Sequence, residues 1–151
     1  MRSILLVTHV VAGTAGLLVG PAAMTAAIAG RRHTGAGRAY LAAVSVLTAT
    51  AAALVALRPG TLWPFFLLAL GTQGAVLAAL RAARVDRHVR LLGGSYISLV
   101  TALLVVSWGS ILAWVLPTAI GTVLVERAAA ATGRRPPVRT PSRTPTPSSR
   151  R

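Results

Sequence analysis

The chain has 151 residues, of which 54% are hydrophobic and only 12% are charged, whereas a soluble domain normally has about a quarter charged residues. Its sixteen basic residues are all arginine and are set against two acids, Asp86 and Glu126, for a formal net charge of +14. The absence of cysteine excludes disulfides, thiolate metal sites and cysteine nucleophiles. The arginines flank apolar blocks and no aromatic platform for bases accompanies them, so the charge does not indicate nucleic-acid binding.

The first apolar block predicts a membrane-spanning helix over about residues 4–30, with a kink at Pro21. It is longer than the roughly 7–15 apolar residues of a signal peptide, so we expect it to be retained as a span. His9, Gly13, Gly16 and Gly20 share one face of this helix. Small residues at such spacing let another helix approach closely. We therefore expect this face to pack against a neighbouring helix, a second copy of the chain or a membrane-protein partner.

The second and third apolar blocks predict helices over about residues 38–57 and 61–83. Between them, Arg58, Pro59 and Gly60 are residues typical of a tight turn. Thr61 is a suitable N-cap for the third helix, because its hydroxyl can accept a hydrogen bond from the first turn. Polar loops are expected before the second helix and after the third.

Residues 91–125 contain no charged residue and are too long for one span, because 35 residues of helix would measure about 52 Å. Gly109 can adopt the left-handed conformation that ends a helix, and Ser110 can cap the next one. The sequence therefore predicts a turn here and two helices, over about residues 86–108 and 110–131.

Five spans place all sixteen arginines except Arg2 and Arg58 on one side of the membrane. This bias in arginine distribution predicts an N-out/C-in orientation. With four spans the last arginines would lie outside, and the two sides would no longer differ clearly in positive charge. With five spans Trp63, Trp108 and Trp114 would lie in the outer interface, where tryptophan is enriched. We thus predict an all-α, multi-pass integral membrane protein. Arginine without lysine and abundant alanine are typical of a GC-rich bacterial genome, which suggests the bacterial inner (plasma) membrane.

Residues 132–151 are rich in arginine, proline, serine and threonine, and Val138 is their one aliphatic residue. Such a segment cannot bury a core and is predicted to be a disordered cytoplasmic tail. Its arginines are expected to attract anionic lipids at the cytoplasmic face.

Two ligand sites are candidates at the predicted cytoplasmic end. His33 and His88 lie in or near the two loops there, and a pair of facing histidines can bind a b-type haem or a metal ion. His9 is a full membrane thickness away and would not join them.

The alternative site is a cationic pocket for an anionic headgroup or a small acid. It would be formed by Arg38 and Arg87 and closed by Tyr40 and Tyr96. Arginine suits this role because its guanidinium forms bidentate hydrogen bonds with phosphate and carboxylate.

No catalytic residue is identifiable, since the sequence contains neither an acid in mid-membrane nor a hydrolase or nucleotide-binding motif. The polar groups expected in mid-membrane are Gln73, Ser95, Ser98 and Thr101, which we predict to hydrogen-bond neighbouring helices. The main hypothesis is a non-enzymatic accessory or interaction protein. The alternatives are a haem-binding redox protein and a protein that binds or transports an anionic lipid or small acid.

Three motifs resemble an uncharacterised bacterial family of short multi-pass membrane proteins, a family defined by a domain of unknown function. They are His-x3-Gly from His9, His-x3-Gly-Arg-x-Tyr from His33 and His-x6-Ser-Tyr from His88, followed by residues 114–127. The resemblance covers about residues 4–127. Gly93 and Gly94 depart from it, because bulkier or basic residues are expected before the Ser-Tyr pair. The resemblance implies a multi-pass helical architecture, and no activity is established for the family.

Overall fold

The computed structural model describes residues 2–31, 34–57 and 59–134. These residues form five α-helices, all of them long and apolar enough to cross a membrane. The predicted all-helical architecture with five candidate spans is therefore confirmed, and the chain is a multi-pass membrane protein. The helices are α1 (Arg2–Ile28), α2 (Gly35–Leu57), α3 (Pro59–Arg81), α4 (Val85–Trp108) and α5 (Ile111–Gly133).

The turn between α4 and α5 forms as the sequence predicts. Gly109 has the left-handed conformation, with φ 60° and ψ 16°, and its N–H donates to the carbonyl of Val105 at 2.9 Å. The hydroxyl of Ser110 accepts a hydrogen bond of 3.0 Å from the N–H of Leu112, in the first turn of α5. Residues 91–125 therefore form parts of two helices rather than one.

Other helix ends differ from the expected positions for local reasons. The hydroxyl of Thr34 accepts from the N–H of Gly37 at 3.1 Å, and α2 begins at Gly35 instead of residue 38. The prediction that Thr61 is an N-cap is wrong, because α3 already begins at Pro59. Proline suits a first helical position, where its missing N–H would have no helical partner. At the other end of the chain α5 continues to Gly133, and the predicted tail from residue 135 lies outside the described residues.

The first four helices form a ring. Each packs against the next in sequence, and α4 also packs against α1, while α5 lies outside the ring against α4 and the edge of α1. The short connections make neighbours in sequence antiparallel. One end of the bundle, which we call the N-terminal end, holds the start of α1 and the α2–α3 and α4–α5 turns. The opposite end, which we call the arginine-rich end, holds the other two connections and the end of α5.

The ring is closely packed in its arginine-rich half. Tyr40 and Val44 of α2, Val76 of α3 and Val89 of α4 are at most 2% exposed there. The outer surface of the bundle is apolar, and residues such as Leu18 are more than 70% exposed. Such a surface suits lipid and would not suit water over this area.

The tryptophans lie at the N-terminal end, as the sequence predicts. Trp63 and Trp108 are more than half exposed, and Trp114 is 37% exposed. The rings of Phe65 and Trp114 lie 6.2 Å apart between their centroids, which links the start of α3 to the start of α5. Aromatic side chains at one level of the bundle are typical of a membrane interface.

The glycine face of α1 packs inside the chain. A Cβ at Gly13 would lie 3.3 Å from Leu47 of α2, and a Cβ at Gly16 would lie 3.3 Å from Leu99 of α4. At Gly20 a Cβ would overlap the ring of Tyr96. The structure thus uses this face for packing between neighbouring helices.

Gly20 belongs to a contact between α1 and α4 in which the next residue, Pro21, has a specific role. Proline has no N–H, so Pro21 cannot donate to the carbonyl of Leu17 four residues earlier. The hydroxyl of Tyr96 donates to this carbonyl instead, at 3.2 Å. Gly20 makes room for the ring, and Pro21 leaves an acceptor for its hydroxyl. The helix itself continues through Pro21.

Gly93 has a similar role between α4 and α5. A Cβ at this position would overlap the side chain of Val125 and would lie 3.3 Å from the methyl group of Met24. Glycine at this position therefore has a packing reason: the missing side chain allows α5 to lie close to α4.

Candidate functional site

His88 lies at the arginine-rich end and is 5% exposed. Its Nδ1 lies 2.7 Å from the carbonyl oxygen of Ala79. Because a carbonyl can only accept, Nδ1 carries the proton and donates. The adjoining cavity, bordered also by Arg31 and Thr34, has a volume of about 10 Å³, which is about the space of one water molecule.

The cavity beside His88 is therefore too small to hold a haem group. A porphyrin is far larger than this cavity, and its binding would require α2, α3 and α4 to separate. His33, the other predicted ligand, lies outside the described residues. Among the described residues, no group of three or more metal-ligating side chains occurs.

The four residues of the predicted anion pocket do not share one surface. The side chains of Arg38 and Arg87 are exposed, whereas Tyr40 is fully buried. The hydroxyl of Tyr40 bonds to the hydroxyl of Ser95 at 3.0 Å. The hydroxyl of Tyr96 donates to the carbonyl of Leu17 on α1. Both tyrosines thus join helices within the bundle, and neither hydroxyl is directed towards the exposed arginines.

Both acids of the chain bind arginines at this end. Asp86 accepts from Arg84 at 3.0 Å and from Arg90 at 3.3 Å, and Arg90 also pairs with Glu126 of α5 at 3.0 Å. The ion pair between Arg90 and Glu126 links α4 to α5. These carboxylates reduce the local positive charge, which weakens a case for an anion site next to Arg90.

A large opening lies in the N-terminal half of the ring, and we call it the cleft. Its volume is about 480 Å³, within the range of about 300–1,000 Å³ that is usual for ligand pockets. All four helices of the ring contribute to its walls, which are mostly apolar. The lining side chains include Leu6 and Leu17 of α1, Leu47 and Leu54 of α2, Phe65 and Phe66 of α3, and Leu99 and Leu103 of α4.

The cleft spans about one leaflet of a bilayer. Along α1 it runs from Leu6 to Leu17, which is about 16 Å of helix at 1.5 Å per residue. Half of the hydrocarbon core of a bilayer is about 15 Å. Arg2 lines the cleft at the N-terminal end of the bundle, which we call its mouth, and the closely packed residues around Tyr40 and Val44 lie beyond its opposite end.

A polar pair lies within this apolar cleft. His9 is half-buried and lines it, and the Nδ1 of His9 lies 3.0 Å from the hydroxyl of Thr50 on α2. The same hydroxyl lies 2.8 Å from the carbonyl of Val46 and 2.9 Å from that of Leu47. Thr50 is 7% exposed. This pair joins α1 to α2 at a depth where the other lining groups are mainly apolar.

The sequence indicates His9 as a polar residue in an apolar helix but gives no sign of the cleft. The residues that form it are ordinary leucines, phenylalanines and small residues, which also suit a closely packed core or a lipid-facing surface. Thr50 is visible in the sequence as a hydroxyl in the middle of an apolar block. Its pairing with His9 depends on how α1 and α2 are rotated about their axes, which no short motif shows.

Most of the polar residues predicted to join helices do so. Gln73 of α3 donates to Ser45 of α2 at 3.1 Å, Ser95 bonds to Tyr40, and Thr101 lies 3.5 Å from Thr118 of α5 between their hydroxyl oxygens. The exception is the hydroxyl of Ser98, which donates to the carbonyl of Gly94 within its own helix at 3.1 Å.

No protein-family model, curated protein or solved structure matches the chain. The resemblance to an uncharacterised membrane family therefore stays a prediction from the sequence. Function has to be inferred from the residues of the cleft themselves.

Proposed function

We propose that this protein is a non-catalytic membrane protein that binds the apolar chain of a membrane lipid in the cleft. The observation that carries the proposal is an opening of about 480 Å³ that is lined by four helices and is mostly apolar. Filling such a space with hydrocarbon gains the favourable transfer and dispersion energy that an unfilled apolar cavity lacks. An accessory or interaction role is compatible with this activity.

Its dimensions support a lipid that lies in one leaflet. The apolar walls extend along about 16 Å of α1, and a single leaflet of hydrocarbon is about 15 Å thick. Arg2 at the mouth lies at the depth where a lipid headgroup would be. The cleft therefore matches the length of a lipid chain in one leaflet.

We further propose that the N-terminal end lies outside and the arginine-rich end in the cytoplasm, in the inner membrane of a bacterium. All arginines except Arg2 and Arg58 would then lie on the inner side, in keeping with the positive-inside rule. The cleft would open in the outer leaflet. The arginine-rich end would attract anionic headgroups at about 1 kcal/mol for each arginine near the surface.

Lipid binding can be tested with a variant that fills the cleft. Ala102 lines it, and Ala102→Phe would place a ring inside. Ala119 is exposed on α5, so Ala119→Phe is a matched control that adds the same ring outside the cleft. Both variants and the parent would be reconstituted with a phospholipid that carries a diazirine in its acyl chain. Irradiation and peptide mass spectrometry would then locate the crosslinks.

We expect crosslinks on cleft residues such as Leu47 and Phe66 in the parent and in Ala119→Phe, and a loss of these crosslinks in Ala102→Phe. Equal labelling of the cleft in all three proteins would contradict the proposal. Crosslinks that lie only on outer surfaces, such as that of α5, would also contradict it, because the cleft would then hold no lipid chain.

The orientation can be tested by cysteine labelling, since the chain has no cysteine of its own. Ser3→Cys at the N-terminal end should react with a membrane-impermeant maleimide on intact cells, and Ser148→Cys should react only after lysis. Labelling of Ser148→Cys on intact cells would refute the proposed orientation.

A further inference from the structure

The hydrogen bonds around Thr50 determine which nitrogen of His9 faces a ligand as an acceptor. A threonine hydroxyl has one proton, and that of Thr50 is directed to the backbone carbonyls of Val46 and Leu47, at 2.8 and 2.9 Å. With the proton so placed, the oxygen of Thr50 accepts from Nδ1 of His9, 3.0 Å away. In the neutral imidazole, a proton on Nδ1 leaves Nε2 with a free lone pair. His9 thus offers a hydrogen-bond acceptor.

This acceptor is available to a molecule in the cleft. His9 lines the cleft and is only half-buried, and its side-chain hydrogen bond, to Thr50, is made by Nδ1. Among the described lining residues, Arg2 is the one with a charge, and it lies about 10 Å away along the helix. Around His9 the cleft therefore presents a neutral acceptor within mostly apolar walls.

We propose that the cleft selects a neutral long-chain alcohol, whose hydroxyl donates to Nε2 of His9 while its alkyl chain fills the space below. This inference rests on the proposed function and names the lipid class that the cleft prefers. From His9 to Leu17 the cleft extends about 12 Å, so most of the chain would lie beyond the histidine.

The chemistry of the site favours an alcohol over three other kinds of apolar molecule. An alkane would leave Nε2 without a partner, and a buried acceptor without a partner costs free energy. A ketone or ester offers only acceptors and would face the lone pair of Nε2. A carboxylate would bring a charge to a depth where the cleft has no cation to pair with it. A hydroxyl supplies the one donor that the site lacks.

The test compares three photoreactive probes of the same chain length: hexadecanol, hexadecane and hexadecanoate, each with a diazirine at the same carbon. The full-length protein would be reconstituted in phospholipid bilayers, and crosslinking to cleft peptides would be measured over a range of probe concentrations. The variants are His9→Phe, which keeps an aromatic ring without an acceptor, and His9→Gln. The amide of His9→Gln can donate to Thr50 and still offer an oxygen to the ligand.

We expect the parent to bind the alcohol roughly three- to tenfold more tightly than the alkane, which is the range for one net hydrogen bond. His9→Phe should bind both probes equally, and His9→Gln should restore part of the preference for the alcohol. Because every protein is tested with both probes, a variant that folds poorly would lose both signals together and would be recognised by its lost alkane labelling.

Three outcomes would overturn the inference. Equal binding of alcohol and alkane by the parent would show that His9 selects no donor, although lipid binding itself would stand. Tighter binding of hexadecanoate would show that an anionic headgroup is selected instead. Failure of every probe to label the cleft would refute lipid binding itself, and the choice of lipid with it.

Discussion

The contact of Tyr96 with the carbonyl of Leu17 allows a sharp prediction about how α1 and α4 are held together. Tyr96→Phe removes only the hydroxyl, which donates to this carbonyl at 3.2 Å. Pro21 has no N–H to replace that donor, so the carbonyl of Leu17 would be left without its partner. We expect the variant to be less stable than the parent.

The magnitude follows from the membrane setting. Hydrogen bonds between helices in a membrane are worth about 0.6 kcal/mol on average and about 1.7 kcal/mol at most. An acceptor that is left unsatisfied costs about 1–3 kcal/mol. We therefore expect Tyr96→Phe to lower the free energy of unfolding by about 1–2 kcal/mol.

Pro21→Ala supplies the missing donor, because the N–H of an alanine at this position can bond to Leu17. In that background Tyr96→Phe should cost at least about 0.5 kcal/mol less, and the two changes should be non-additive. The measurement is equilibrium unfolding in mixed micelles with increasing SDS, followed by circular dichroism. Tyr40→Phe is a matched control, since the hydroxyl of Tyr40 bonds to Ser95 and not to α1.

Additivity of Tyr96→Phe and Pro21→Ala within about 0.3 kcal/mol, which is the scatter expected of independent sites, would refute this explanation. The same conclusion would follow if Tyr40→Phe and Tyr96→Phe responded equally to Pro21→Ala. The loss in Tyr96→Phe would then reflect packing of the ring and not the carbonyl of Leu17.

Three further predictions concern the same unfolding measurement. Gly20→Ala should destabilise the bundle by about 1–3 kcal/mol because its Cβ overlaps Tyr96, whereas Gly74→Ala, with no atom within 4 Å of the new Cβ, should be neutral or stabilising; equal effects would contradict the close contact. Gly109→Ala should cost about 1 kcal/mol because Gly109 has φ 60°, and Gly109→Asn should cost less, since asparagine tolerates this conformation; a ranking in the opposite order would be contrary evidence. Glu126→Gln should lower the free energy of unfolding by at most about 1 kcal/mol, because its partner Arg90 is 45% exposed, and this loss should be smaller in high salt. A larger loss that does not depend on salt would contradict the view of this pair as a solvent-exposed ion pair.

The sequence alone determined the features that depend on neighbouring residues. Four apolar stretches, the last of them long enough for two spans, predict five helices, and all five form. Gly109 and Ser110 were identified as the end of one helix and the cap of the next, because a left-handed residue and a capping hydroxyl act within a single turn. The start of α3 was misplaced by two residues for an equally local reason, since Pro59 can itself occupy the first turn.

Only the tertiary structure decided which faces meet and what they enclose. A helix that is apolar all round has no polar stripe to show which side faces its neighbours, so the pairing of Gly20 with Tyr96, of His9 with Thr50 and of Gly93 with Val125 could not be read from spacing. The cleft has the same origin. Close packing in one half of the ring and separation in the other result from contacts between residues that are distant in the chain, and these contacts set the rotation and tilt of each helix.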